Sequence, residues 1–204
     1  MFRIDHSKGF IATVNRAVFA AVVFFICCHT VFAAPATDES RKISQSILSL
    51  VNQSVNLINS GEYEKLTALF HYPATHAPKA RAHDQCMVAA SIKFLSQQFG
   101  LPKNIKAQDF AGQINEYAIH VQAGGLKYWQ DKQVEAQSYF FTDYAQVGPG
   151  ILKFQFADLA TTPRLRSIAY GFEASEEAKR KLFKLGSAFS AHVKTAGQQC
   201  GQAN

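Results

Sequence analysis

The strongest constraint on how this chain folds is a change of hydrophobic period near residue 100. Before it, apolar residues recur every three or four positions, the spacing of one helix face. After it, they recur at every second position, the spacing of one strand face. Ile43, Ile47, Leu50, Val51, Ser54 and Ile58 form a first helical stripe, and Gly61 sits where a left-handed C-cap belongs. A shorter helix is expected over EYEKLTALFH, burying Tyr63, Leu66, Leu69 and Phe70 and ended by Pro73. A third is expected from about residues 79–81 to Gly100. It carries Asp84, Val88, Ile92, Leu95 and Phe99 on one side, with Cys86, Ala90, Lys93 and Gln97 on the other. Leu101-Pro102 closes that segment.

The alternating half begins with INEYAIHVQAGG, where Tyr117, Ile119 and Val121 oppose Glu116, Ala118 and His120. Gly124-Gly125 is a turn, and LKYWQ has room for a short strand. VEAQSYFFTDYAQ, ILKFQFADL and RLRSIAYGF read as three further strands, joined through Gly148-Pro149-Gly150 and DLATTP. Links this short imply an antiparallel meander. A last helix starts at Ser175, a good N-cap followed by Glu176 and Glu177. Its stripe is Ala178, Leu182, Leu185, Phe189 and Val193. The sum is an α+β chain: N-terminal helices packed on a curved antiparallel meander of four or five strands, plus one C-terminal helix.

That order over residues 41–172, with the phrases LFHYP, YW at 128–129 and LRSIAYG at 165–171, resembles exported bacterial members of the nuclear transport factor 2-like superfamily, the cystatin-like α+β roll. The resemblance implies a cone between helices and sheet that holds ligands or catalytic residues where these exist. The helix from Ser175 departs from the pattern, because the roll ordinarily ends on a strand.

Residues 1–33 read as a signal peptide: Arg3, Lys8 and Arg16, then the uncharged run AVFAAVVFFICCHTVFAA ending in small residues. Cleavage is expected after Ala33, or next after Ala36; the alternative is an uncleaved anchor, since the run is just long enough to span a bilayer. Residues 34–40 form a flexible lead, 41–197 one domain, and 198–204 a tail. Without the leader, 18 of 21 Lys/Arg and 14 of 15 Asp/Glu remain, a net charge near +4. The domain is expected to be periplasmic or secreted, with no membrane contact after cleavage. Nucleic acid is excluded as a partner by the absence of a binding motif and by export. The one basic cluster, Lys179, Arg180, Lys181 and Lys184, reads as a solvated helix face. Of four cysteines, Cys86 and Cys200 survive cleavage. They read as a disulfide closing a loop of over a hundred residues, the alternative being a reactive thiol near a helix N-terminus.

Three histidines, His71, His76 and His83, crowd the stretch FHYPATHAPKARAHD with Asp84. Their spacings of five and seven, broken by prolines, do not fit a helical zinc motif, and neither metal nor cofactor is expected. His71 is expected at a helix end and the other two in solvent. Ligand-binding candidates come from the strands. Arg166 falls in phase with Ile168 and Tyr170, and Asp143 in phase with Tyr139 and Phe141. A charge turned inward needs a partner. Asp143 and Arg166 therefore pair, flank a cavity with Tyr117, Tyr139 and Tyr170, or reach water at strand ends. Glu116 and His120 are expected in solvent or at a dimer surface. The leading expectation is a non-enzymatic exported domain that binds a small apolar or anionic ligand or a protein partner, with a homodimer through the open sheet face. A second is a cofactor-independent isomerase, lyase or hydrolase of the ketosteroid isomerase-like kind, with Asp143 as base and tyrosines as donors. A third is a structural role in the envelope.

Overall fold

The computed structural model describes residues 38–108, 116–124 and 134–202. The signal segment, most of the lead and the LKYWQ strand lie outside the described residues. Helix α1 (Asp38–Ser60) ends at Gly61, whose φ of 73° is the left-handed cap that the sequence implies. Helix α2 is only Tyr63–Thr67, shorter than the apolar pattern suggests. Phe70 leaves the helix because it forms a parallel bridge with Leu165, 95 positions away. A tertiary pairing overrides local helix propensity there. Helix α3 (Pro78–Phe99) opens on proline at its first turn, where a missing N–H costs nothing.

The strands are β1 (Pro102–Gln108), β2 (Glu116–Gln122), β3 (Ala136–Tyr144), β4 (Gly148–Ala157) and β5 (Arg164–Glu173). All pair antiparallel, in the order β1-β3-β4-β5-β2. Among the described strands only β3-β4-β5 is a meander, and β1 and β2 stand at its two sides. β1 escapes the sequence pattern because PKNIKAQ has one large apolar residue and no alternation. The β3–β4 turn is at 145–147, and Gly148-Pro149-Gly150 already belongs to β4. Helix α4 (Glu176–Gln202) runs through most of the supposed tail. Ser175 caps it, its Oγ accepting from the Ala178 amide at 3.0 Å.

One sheet face meets the helices. Tyr117, Ile119 and Val121 of β2 lie opposite Phe172, Tyr170 and Ile168 of β5, and the last two lie opposite Leu152 and Phe154 of β4. Leu95, Ile92 and Phe99 of α3 complete this core, each fully buried. Phe99 is its hub, with ring centres 5.0, 5.5 and 5.3 Å from Tyr144, Tyr170 and Phe172. On its other side α3 receives α4. His192 stacks on Phe94 at 4.4 Å and its Nε2 lies 3.1 Å from the Ala90 carbonyl. The Cys86–Cys200 disulfide joins the two helices, with Cα atoms 5.8 Å apart.

The end of α3 fixes the sheet through one glycine. The Phe99 carbonyl accepts the amides of Gln146 and Val147 in the β3–β4 turn. That approach needs Gly100 at φ 84° and ψ 164°, a region open essentially to glycine alone. An added Cβ would stand 2.5 Å from the Gln146 nitrogen. Gly100→Ala is expected to cost about 2–3 kcal/mol, from backbone strain plus a clash with main chain that cannot rotate away. Urea unfolding measures it; a loss below about 1 kcal/mol contradicts the assignment.

Candidate functional site

The sheet register separates the residues that alternation grouped. Tyr139, Phe141 and Asp143 lie opposite Lys153, Ile151 and Pro149, on the face turned away from Tyr170 and Ile168. Asp143 is exposed near the β1–β3 edge and accepts from Asn104 Nδ2 at 3.2 Å. It borders an open groove with Ile105, Phe141 and Pro149. Arg166 is the residue left over where the β4–β5 register shifts, since Gln155 pairs with Ser167 and Phe156 with Leu165. It is half-buried, and burial lowers its pKa. Arg166 and Asp143 therefore do not pair, and they do not share a cavity with all three tyrosines. Tyr117 is half-buried at the core margin. Tyr170 is fully buried, with its hydroxyl 3.0 Å from Ser96 Oγ; burial, more than any neighbour, raises its pKa. A carboxylate buried beside a tyrosine, which the isomerase-like reading requires, is not formed at Asp143.

The outward sheet face carries something alternation did not mark. Lys153, out of phase with the core residues Leu152 and Phe154, is nonetheless buried, and its Nζ donates to Glu116 Oε1 at 2.5 Å. Both side chains are about nine-tenths covered. The ammonium also lies 4.8 Å from the centre of the Tyr139 ring. Glu116 is thus no free surface acid.

The histidine stretch supplies the better-formed hollow. Leu69 and His71 exchange backbone hydrogen bonds with Leu165 at 2.9 and 2.8 Å, which sets the His71 ring beside the turn that leaves β4. Asp158 sits in that turn with φ of 64°, a conformation Asp tolerates better than most residues. Its carboxylate pairs with His71 Nδ1. Because a carboxylate only accepts, Nδ1 carries the proton. The Arg164 guanidinium reaches back to the Ala68 carbonyl at 3.1 Å. Together with Arg81, Thr161 and Thr162 these groups line an open cleft of about 300 Å³. Two guanidiniums and two hydroxyls against one paired carboxylate favour a small anion, which arginine grips in a bidentate way.

Behind the cleft, Tyr72 is buried beneath Arg81, whose guanidinium carbon is 5.2 Å from the ring centre. Burial first, then the charge of Asp84, raises the Tyr72 pKa. His76 Nδ1 lies 3.4 Å from Asp84 Oδ2, within ion-pair range but not aligned as a hydrogen bond. His76 and His83 are half-buried, not solvated as the sequence suggested, because the loop folds back on α3. Among the described residues no group of three or more His, Cys, Asp or Glu is placed to hold a metal ion.

Sequence reasoning singled out His71 but missed Asp158, Arg81, Arg164, Thr161 and Thr162. Asp158 is separated from His71 by 87 positions and looked like an ordinary turn residue. Among the described residues no helix is long and apolar enough to cross a membrane. No family model, no curated protein and no solved structure matches this chain.

Proposed function

We propose that this chain is an exported, periplasmic or secreted, non-enzymatic domain of the nuclear transport factor 2-like kind that binds a small anionic ligand in the His71–Asp158 cleft. The observation that carries the reading is the placing of Arg81 and Arg164 across a polar hollow whose one carboxylate is already engaged by His71. The Cys86–Cys200 bridge and the leader support export. The order of three helices before an antiparallel sheet supports the family. The anion expected at Arg166 is taken instead at Arg81 and Arg164.

Calorimetric titration with inorganic phosphate and with short carboxylates tests this. Saturable binding is expected. Arg164→Gln and Arg81→Gln should each weaken it by about 10- to 100-fold, the worth of a lost charge-assisted hydrogen bond. The pair is needed because Arg164 also holds the Ala68 carbonyl, so a melting curve accompanies each variant. Absence of heat for every anion at millimolar concentration, or both variants binding as the parent does, overturns the reading.

A further inference from the structure

The outer side of α4 carries a feature that neither the core nor the cleft uses. Phe183 is 70 % exposed, more than Leu48, Leu101 or Val134, the other exposed large apolar residues among those described. Its neighbours one turn before it are the cations Lys179 and Arg180; Lys184, next in the chain, lies about 100° round the helix from it, and all three are exposed. Lys181 is not part of this group. It pairs with Glu177 at 2.9 Å and lies 5.8 Å from the Phe172 ring centre on the side facing the sheet. Glu176 is the acid on the same meridian, two turns back, so the group keeps a positive balance.

The helix needs none of these side chains for packing. Its buried residues, Ala178, Leu182, Phe189, Ala196 and Cys200, lie on the other side and are clamped by the disulfide. A lone exposed ring is ordinary on a solvated face; what sets this one apart is the cluster of cations beside it. Apolar rings ringed by long cations suit a membrane interface: the ring enters the acyl boundary, while the methylene stems lie along it and the charges meet headgroup phosphates. Anionic protein surfaces satisfy the charges equally well, but a protruding single ring needs a fitted pocket there, and a bilayer supplies its own. We infer that the Phe183 face of α4, with Lys179, Arg180 and Lys184, docks the folded domain reversibly on an anionic lipid surface. This departs from the expectation that the exported domain makes no membrane contact.

Co-sedimentation with vesicles decides it. The purified protein is expected to bind phosphatidylglycerol–phosphatidylcholine vesicles, to leave pure phosphatidylcholine vesicles unbound, and to be released by 0.5 M salt. Phe183→Ser should lower partitioning about tenfold with no change in melting temperature. Lys179→Gln, Arg180→Gln and Lys184→Gln together should lower it roughly a hundredfold, about fivefold per cation. The inference is overturned by absence of binding to the anionic vesicles, by equal binding to both compositions, or by a Phe183→Ser variant that binds as the parent does. Loss of binding to an acidic protein on Phe183→Ser, with no vesicle binding in the parent, assigns the face to that protein and equally overturns it.

Discussion

Cys86→Ala combined with Cys200→Ala is expected to lower the unfolding free energy by about 5 kcal/mol, the largest effect of any change considered. The bridge closes a loop of 114 positions. In the chain-entropy model the cost of an unfolded chain forced to close such a loop approaches that figure. For a domain of this size it corresponds to a fall in melting temperature of roughly 10–20 °C. The location matters as much as the loop. The bond joins α3, whose inner side forms the core, to α4, whose inward stripe has α3 as its principal neighbour. Its loss frees the C-terminal helix first, so amide exchange along Ala196–Gln202 should rise before the sheet is affected. Denaturant curves of the oxidised protein, the reduced protein and the double alanine variant measure this. A difference under about 1 kcal/mol would falsify the assignment of the bridge as the staple of α4.

The second large effect concerns Lys153 and Glu116. Removing one member of a buried pair strands the other charge away from water, at a cost of about 3–5 kcal/mol. Lys153→Met and Glu116→Leu are each expected to lose that much. The double variant should recover most of it, because a well-packed apolar pair avoids the desolvation that two ions suffer. A double variant whose loss equals the sum of the two single losses would show that the residues contribute independently, through packing and not through the pair. The pH dependence has a definite sign. Burial acts to lower the Lys153 pKa, but hydrogen bonds from its ammonium to Glu116 and Tyr139 outweigh it, and the net shift is upward from 10.5. A raised lysine contributes stability that is fully present below 10.5 and is lost as pH rises through the higher folded value. The parent should therefore lose stability in alkali above about pH 10.5, and the double variant should lack that component.

How much of this was legible in the chain follows from the range of each interaction. The α1 stripe, the Gly61 cap, the Ser175 cap and the strand character of β2, β3, β4 and β5 are local patterns, and all are present in the structure, with β4 reaching back to Gly148. The cysteines could be proposed as a pair because only Cys86 and Cys200 lie beyond the apolar N-terminal run. β1 was silent because a strand beside the meander with bends at Asn104 needs no alternating face. The site was misjudged for a different reason. Alternation tells which residues of one strand share a face, but not which faces of two strands coincide. Tyr139 and Tyr170 each followed their own alternation correctly and still landed on opposite sides of one sheet. The register shift between Gln155 and Phe156 then displaced Arg166 from the phase its neighbours keep.

By itself, then, the sequence determined the period of each half, the order of most elements, the caps at Gly61 and Ser175, and Cys86 and Cys200 as candidates for a bridge, all of which depend on spacing along the chain. Only the tertiary structure decided that Asp158 meets His71, that Lys153 turns inward to Glu116, and that the Phe70 segment leaves its helix to join β5. Those contacts join residues between 37 and 95 positions apart, and their partners are chosen by register and by the energy of burying charge, neither of which is written in any one stretch of the chain.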